Sequence, residues 1–487
     1  MSVAPTEIQA YMPWAKAQAM ARLSQPVSAT PPQPHVTFIM GNEAGDLDSA
    51  ASAIALSYIL NHDQSYFVHT YRVPGGVYVP LIQTPRNALY QRRENLAVYE
   101  AVGIALEDLL CIDELGPLST RRLGSAANVS LGLVDHAKLS EVWGDQHVVD
   151  VIVDHHEDEG AHMDAPLRII YAPTVHPVGS AASIVAMLAA QAQAETAQAL
   201  PSGVADLLLS AIVLDTRNLR MQPDGKGTPM DVRAYASLLP SSSFYQANTS
   251  VEAVEAVHPP PSLTQSTQAW SDQLRQIKKD VSHLDTHGLL TRDFKTAQVQ
   301  IGQRSVHVGL ASVPISLSSW LSQSYRSLST EFSVDTARAE HEWDVWWTSM
   351  AWFMQEKHLD MAVVLASYSE AQADTQERKS RRDLAIAYRD YDHTRDSSAD
   401  MARIIAGLEQ FGTAVVAPDG IALDLQTWKG ERRIPTTGKK ERVQGLDAAH
   451  RVRAVPGVWG AVWRQGNTQA NRKIVQPALL RVLQYVL

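Results

Sequence analysis

Three ionisable residues, Asp154, His155 and His156, follow directly on the apolar run Val151-Ile152-Val153. Val148 to Val153 is β-branched and nearly uncharged, which predicts a strand covered on both faces, as in a parallel sheet. Open α/β sheets take their ligands just beyond the carboxyl ends of such strands. An acid and two imidazoles placed there are costly unless something pairs them, and a divalent cation is the natural partner. One such run alone reads first as a solvated polar turn. Three other segments, however, end in a similar way. After His35–Met40 comes Gly41-Asn42-Glu43-Ala44-Gly45-Asp46-Leu47-Asp48-Ser49, in which two aspartates two apart can serve two neighbouring cations while Ser49 caps the next helix. After Val129–Val134 comes Asp135-His136, and the apolar helix Ala205–Leu214 runs into Asp215-Thr216. Four such ends in one domain are hard to ascribe to chance.

The elements that must position these residues alternate in βα fashion. The pattern predicts strands at His35–Met40, Ser65–Val73, Val129–Val134 and Val148–Val153, and helices at Ser49–Leu60, Arg92–Val102, Ala181–Gln193 and Ala205–Leu214. That alternation argues for a parallel sheet with covered faces, hence an α/β first domain. A Ser- and Pro-rich tract at 241–262 is the linker candidate. The second half, 263–487, reads as α+β, with strand patterns at Val299–Ala311 and Met361–Ser367. A polar stretch near 370–400 reads as a long surface insertion. Trp343, Trp346, Trp347 and Trp352 offer base-stacking surfaces, but their helical spacing among apolar neighbours favours a buried core.

At 487 residues the chain has room for at least two large domains. Its 42 basic against 52 acidic side chains give a formal charge of −10, which argues against nucleic acid or an anionic membrane as partner. A single cysteine, Cys111, forms no intrachain disulfide, and no apolar run has the length of a membrane span; both fit a cytoplasmic protein. The first 34 residues carry a helical pattern from Ile8 to Leu23 with Lys16 and Arg22 against Glu7. They can be read as a weak mitochondrial presequence or as a helix packed on the domain. Scarce arginine, with Met12 and Trp14 as packing residues, favours the helix. Gly225-Lys226-Gly227-Thr228 is P-loop-like but lacks the upstream glycine, and no following helix is expected.

The order and context of the four acidic motifs resemble the DHH phosphoesterase superfamily. The segments GNEAGDLDSAASAIALSYIL (41–60), LVDHAKL (133–139), IVDHHEDEG (152–160) and PVGSAAS (177–183) are similar to its exopolyphosphatase and prune branch. In the second half, TRDFKT (291–296) and NRKIVQP (471–477) look like the two basic motifs of the DHHA2 domain, shared with family II pyrophosphatases. The resemblance implies a parallel-sheet DHH domain at 35–240, a DHHA2 domain at 263–487 and an active site in the cleft between them.

It also implies roles. Asp46 is expected to ligate a first metal and Asp48 a second, with Asp135 bridging both and His155 and Asp215 completing the second site. His156 is expected to face the substrate phosphate and the nucleophile, while Asp154 and His136 hold the ligands in position. Two divalent ions, Mg²⁺ or Mn²⁺ with Co²⁺ as a further option, lower the pKa of a shared water that attacks the terminal phosphorus in line. Lys295, Arg472 and Lys473 are expected to neutralise phosphate oxygens.

Family II pyrophosphatases carry a metal-binding histidine where this chain has Asn42. The harder amide favours Mg²⁺ tolerance, or Asn42 touches phosphate instead. The prune branch often replaces the last histidine of the third motif by arginine, and here His156 is retained. The implied activity is therefore release of terminal orthophosphate from inorganic polyphosphate, with Arg86, Arg92 and Arg93 as candidates for a basic channel or as an exposed ion-pairing face. Alternatives are hydrolysis of pyrophosphate, tripolyphosphate, nucleoside tetraphosphates or cyclic nucleotides, and a prune-like regulatory binding role.

Overall fold

The computed structural model describes residues 3–24, 35–115, 128–140, 143, 147–222, 225–246, 259, 261–331, 342–371, 378–389, 396–411, 423–428, 431–433, 440–442, 452–455 and 457–487. The chain divides into two compact units, Met1–Lys279 and Asp280–Leu487. Most of the expected linker, 241–262, lies outside the described residues.

The first unit is built on a parallel sheet of β1 (His35–Met40), β2 (Gly76–Leu81), β3 (Val129–Val134), β4 (Val149–Asp154) and β5 (Leu167–Ile170), in the order β2-β1-β3-β4-β5. β3 and β4 are buried along their whole length, as continuous apolar runs require of strands covered on both faces. Helices α1 (Ile8–Leu23), α2 (Leu47–His62), α3 (Gln64–Tyr71), α4 (Arg93–Val102), α5 (Ala181–Thr196), α6 (Ser202–Asp215), α7 (Pro229–Leu238) and α8 (Pro261–Lys279) complete it. α1 is a packed helix: Tyr11, Met12, Ala15 and Ala19 are buried and Trp14 packs against the same core. The sheet order reverses direction at β1, between β2 and β3. The ends of β1 and β3 are therefore where a ligand crevice is expected in such a sheet.

Four local expectations are corrected. Ser65–Val73 is helical (α3), and the strand falls later at Gly76–Leu81. The aromatic residues that mimic a strand form an i, i+4 pair instead, Phe67 stacking on Tyr71, and only Phe67 of this helix is buried. α2 begins at Leu47 with Asp46 as its cap, so Ser49 lies in the first turn. A helix does follow Thr228: α7, started by a capping box in which Thr228 and Asp231 each accept from the other's backbone N–H. α8 belongs to the first unit rather than to the second domain. Leu263 and Leu274 join its core, Trp270 donates to Ser210 Oγ at 2.9 Å, and Ser271 donates to the Val213 carbonyl at 3.0 Å.

The second unit holds a mixed sheet of β6 (Phe294–Ile301), β7 (Arg304–Val313), β8 (Met361–Ala371), β9 (Arg378–Tyr388), β10 (Leu425–Thr427), β13 (Val452–Val455) and β14 (Val458–Gln465). Only β7 and β8 pair in parallel; β11 (Glu431–Arg433) and β12 (Lys440–Arg442) form a separate ribbon. Alternation along the strands feeds two apolar layers. Val363, Leu365, Leu384 and Ile386 face one, with α12 (Ser397–Phe411) and α13 (Arg472–Val486). Ala362, Val364, Ala385 and Ala387 face the other, with α9 (Thr286–Thr291), α10 (Leu317–Glu331) and α11 (Glu342–Glu356). The small side chains of that face make room for Trp320, Trp343, Trp346 and Trp347, all buried, whereas Trp352 is exposed.

The expected insertion near 370–400 is overturned: it contains β9, an interior strand paired on both sides, and the start of α12. The charged half of β9 (Arg378, Lys379, Arg381, Arg382, Asp383) masks the apolar half, Leu384–Tyr388, in the sequence pattern. No helix among the described residues is long and apolar enough to cross a membrane.

Candidate metal centre

The first-unit residues singled out above sit at the carboxyl edge of the parallel sheet or at helix ends that meet it. The loop after β1 turns at Gly45, whose φ of +57° is left-handed and strained for any residue with a side chain. Arg92 fixes this loop by donating to the Ala44 carbonyl through Nη2 (2.6 Å) and Nε (3.1 Å), and Asn95 donates to the Gly45 carbonyl at 3.0 Å. Asp46 then caps α2, accepting from the Ser49 N–H at 3.1 Å. Burial opposes the Asp46 charge, yet Lys278, Arg92 and that N–H hold its carboxyl below the usual value.

Asp48 is buried and lies against the N-terminus of α5. It accepts from Ser180 Oγ (2.7 Å), Ala181 N (2.7 Å) and Ala182 N (2.8 Å), a place where a helix favours negative charge. Burial and the carboxylates of Asp135 and Asp215 nevertheless push its pKa well up. Gly179, just before this N-terminus, has no room for a Cβ, which would meet the Lys226 carbonyl at 2.7 Å and Asp231 Oδ2 at 2.9 Å.

Asp135 follows β3 in the left-handed region, at φ +62°, a conformation aspartate tolerates better than most. Its Oδ2 accepts from Asn42 Nδ2 and from Ser49 Oγ, both at 2.7 Å. Its Oδ1 lies 3.2 Å from His155 Nε2 and 3.7 Å from His156 Nδ1. His155 Nδ1 meets the Val178 carbonyl at 3.0 Å, which fixes the ring with Nε2 turned toward Asp135 and, at 3.9 Å, Asp48. Burial works against a charge on His155, but Asp135 and Asp48 lift its pKa to about 10. Asp154 Oδ1 accepts from the backbone N–H groups of His155 (2.8 Å) and His156 (3.2 Å) and faces His156 Nδ1 at 2.9 Å. Burial raises the Asp154 pKa, and the two imidazoles outweigh it and hold the group ionised.

Asp215 ends α6. The residues after Thr216 (Arg217, Asn218 and Leu219) are all left-handed, and Leu219 donates its N–H to Thr216 Oγ1 at 3.0 Å. Three such residues in succession are costly and mark a turn the surroundings impose. Asp215 Oδ1 lies 3.5 Å from Lys278 Nζ, at the end of α8.

Asp46, Asp48, Asp135, His155, His156 and Asp215 are thus joined by contacts or mutual electrostatics. The donor set fits a divalent cation. Asp48, buried beside Asp135 and Asp215, is costly to ionise without a cation, and His155 shows the arrangement of a ligating imidazole, one nitrogen on a carbonyl and the other aimed into the cluster. Among the described residues, Asp135, His155 and His156 each bring a ligand atom within 4.8 Å of the others. His136 instead turns Nδ1 to the Val134 carbonyl at 2.9 Å. Arg86 and Arg92 are engaged within the first unit, each donating to neighbouring carbonyls and to Glu114 or Glu94.

In the second unit, Arg472 links the two basic motifs. Its Nη1 lies 3.0 Å from Asp293 Oδ1 and 3.2 Å from the Asp293 carbonyl. Lys295 is exposed on β6, and Lys473 is exposed beside Asn471, which caps α13. Sequence reasoning missed Lys278, Ser49 as a partner of Asp135, Ser180 under Asp48, and Asp231. Only Ser180 carried a signal, inside PVGSAAS.

A parallel sheet with clustered acids and imidazoles at its carboxyl edge, followed by a unit with a mixed sheet, defines a two-domain α/β protein with a candidate metal centre. Residues 36–212 match the model of the DHH family, N-terminal domain, and residues 272–482 that of the DHHA2 domain; the chain belongs to the DHH family and carries DHHA2 as its second domain. It is 30% identical over 292 residues to Exopolyphosphatase PRUNE1 of Rattus norvegicus, covering 59% of this chain and 54% of that protein. The human PRUNE1 match is likewise 30% identical, over 287 residues, with 59% and 54% covered. A Lactococcus lactis protein named "Probable manganese-dependent inorganic pyrophosphatase" is 28% identical over 188 residues, 38% of this chain and 49% of that one. The chain thus spans about half the length of the curated relatives it matches.

Proposed function

We propose that this protein is a metal-dependent phosphoanhydride hydrolase that removes terminal orthophosphate from inorganic polyphosphate. The observation that carries the reading is the packing of Asp48, Asp135, His155 and His156 at one sheet edge, with Asp46 and Asp215 adjoining. Asp46 and Asp135 are assigned to a first divalent cation, and Asp48, Asp135, His155 and Asp215 to a second. Such a pair supplies an acidified water and charge neutralisation for the phosphoryl oxygens.

The protein's own part is to hold geometry. Asn42 and Ser49 fix Asp135, the α5 N-terminus fixes Asp48, and the Val178 carbonyl sets the His155 tautomer. His156, 39% exposed, is oriented by Asp154 and open to substrate, where it holds a phosphoryl oxygen or a proton. Water oxygen bonds to the terminal phosphorus and the bridging P–O bond breaks, giving orthophosphate and a chain one unit shorter. Lys295, Arg472 and Lys473 are assigned to phosphate binding. Retention of His156 and the two PRUNE1 relatives favour polyphosphate; the pyrophosphatase relative favours pyrophosphate as the second reading.

The test is phosphate release from long polyphosphate, tripolyphosphate and pyrophosphate with Mg²⁺, Mn²⁺ or Co²⁺, beside Asp135→Asn. Metal-dependent release is expected, and the variant should lose about two or more orders of magnitude while folding normally. Near wild-type rates in the variant, or no metal-dependent hydrolysis of any substrate, would falsify the reading.

A further inference from the structure

We propose that Arg382 binds a phosphate group further along the polyphosphate chain than those assigned to Lys295 and Arg472, and so favours long chains over pyrophosphate. This role rests on the hydrolase reading above and gives it a chain-length determinant. Strand pairing places the three cations. Lys295 pairs with Leu310, Leu310 with Val363 and Val363 with Ile386. Lys295 therefore stands on the same face of the mixed sheet as these apolar residues, the face covered by α12 and α13. Arg382 lies four residues before Ile386 on β9, and alternation puts it on that face too. β6 and β9 both begin at this end of the sheet, and β14 ends there with Gln465 opposite Arg382. Arg472 joins them, because its guanidinium meets Asp293, the residue just before β6.

The Arg382 side chain is fixed at one edge. Its Nε donates to the Thr468 carbonyl at 2.8 Å, in the loop between β14 and α13. That loop is itself held: Gln465 Nε2 donates to the Asn467 (2.8 Å) and Ala470 (2.6 Å) carbonyls, and the Gly466 N–H to the Asp424 carbonyl at 2.7 Å. The Thr468 contact uses one of five guanidinium donors, and the Nη1–Nη2 edge presents two N–H groups side by side, the fork that matches a phosphate. The side chain is half-buried, and burial depresses its pKa with no carboxylate among the described residues offsetting the effect. A bound anion removes that cost. Its neighbours Arg381 and Arg464 are spoken for differently, both reaching Glu370, at 3.1 and 3.6 Å. Distance then sets the substrate class. Arg382 and Lys295 lie on strands with two others between their partners' ladders, β9-β8-β7-β6, which separates them by about 14 Å across the sheet. Pyrophosphate, two tetrahedra sharing one oxygen, is far shorter than that gap, whereas a polymer spans it.

The experiment compares wild type, Arg382→Met and Arg382→Lys, with KM and kcat measured for long polyphosphate and for pyrophosphate in Mn²⁺, and the thermal midpoint as a check on folding. Arg382→Met should raise KM for long polyphosphate about 10- to 100-fold, as loss of a charge-assisted contact does, and leave kcat and the pyrophosphate KM within about twofold of wild type. Arg382→Lys, which keeps the charge and loses the fork, should recover part of the long-chain affinity. An equal loss on both substrates overturns the proposal, since Arg382 would then only fix the loop that leads to Arg472. An unchanged KM for long polyphosphate overturns it as well. A wild type that hydrolyses nothing, or pyrophosphate alone, removes the polyphosphatase reading and this role with it. An active wild type with either of the two contrary Arg382→Met results removes only this inference.

Discussion

Asp231 touches no proposed ligand, yet it ties together the backbone on which two of them depend. It is fully buried on α7 and accepts from Gly179 N (2.9 Å), Ser183 Oγ (2.6 Å), Thr228 N (2.8 Å) and Thr228 Oγ1 (2.7 Å). Gly179 lies between Val178, whose carbonyl sets the His155 tautomer, and Ser180, which holds Asp48. Asp231→Ala leaves the buried N–H groups of Gly179 and Thr228 without an acceptor, at about 1–3 kcal/mol each, so about 2–6 kcal/mol of the first unit's stability is lost. Asp231→Asn behaves differently. An amide oxygen at the Oδ2 position keeps Gly179 N, Thr228 N and Thr228 Oγ1, and the Ser183 hydroxyl rotates to accept from the amide nitrogen. Moreover, burial raises the Asp231 pKa despite these donors, so folding makes the ionised form costlier than it is in the unfolded chain. Asn should therefore cost no more than about 1–2 kcal/mol.

The sign of the pH dependence follows. With its folded-state pKa above the unfolded value of about 3.9, Asp231 holds a proton that the unfolded chain gives up, so its contribution to stability declines as pH rises from about 4 through the folded pKa. The difference between wild type and Asp231→Asn should shift in favour of the variant over that window. Urea unfolding of the three proteins from pH 4 to 8, with Mn²⁺ affinity measured in parallel, checks both points. An Asp231→Ala protein within about 0.5 kcal/mol of wild type, or an Asn variant as unstable as the Ala variant, would refute the reasoning.

Two further outcomes follow from the site. Asp154→Ala frees the His156 ring and two backbone N–H groups, and turnover should fall about 10- to 100-fold with Mn²⁺ still bound; a loss confined to metal affinity would reassign Asp154. Asn42→His supplies an imidazole next to Asp135, and the ratio of Mn²⁺- to Mg²⁺-supported phosphate release should rise about tenfold; an unchanged ratio would mean that Asn42 does not set metal preference.

Where a segment's burial is uniform, its sequence speaks plainly. β3 and β4 are buried along their whole length and α6 is buried over most of its length, with mostly apolar side chains, so both the elements and the acids at their ends were legible. β9 was not, because its charged half conceals an interior strand, and α3 was not, because aromatic residues serve a helix pair as readily as a strand. The same holds at the level of side chains. Asp154, His155 and His156 declare themselves by adjacency, whereas Lys278 is one more lysine at the end of an amphipathic helix until α8 docks on α6.

By itself, then, the sequence determined which acids and imidazoles end the buried elements, in what order, and which two domains they belong to. Those features are local, written in runs of a few residues and in motif spacing. Only the tertiary structure decided what surrounds them: that Asn42 and Ser49 grip Asp135, that a helix N-terminus carries Asp48, that Asp231 braces the loop behind both, and that α8 brings an ammonium to Asp215. Such partners lie tens to more than a hundred residues apart along the chain for most of these pairs, and no local pattern encodes a contact that exists only once the sheet and its helices have packed.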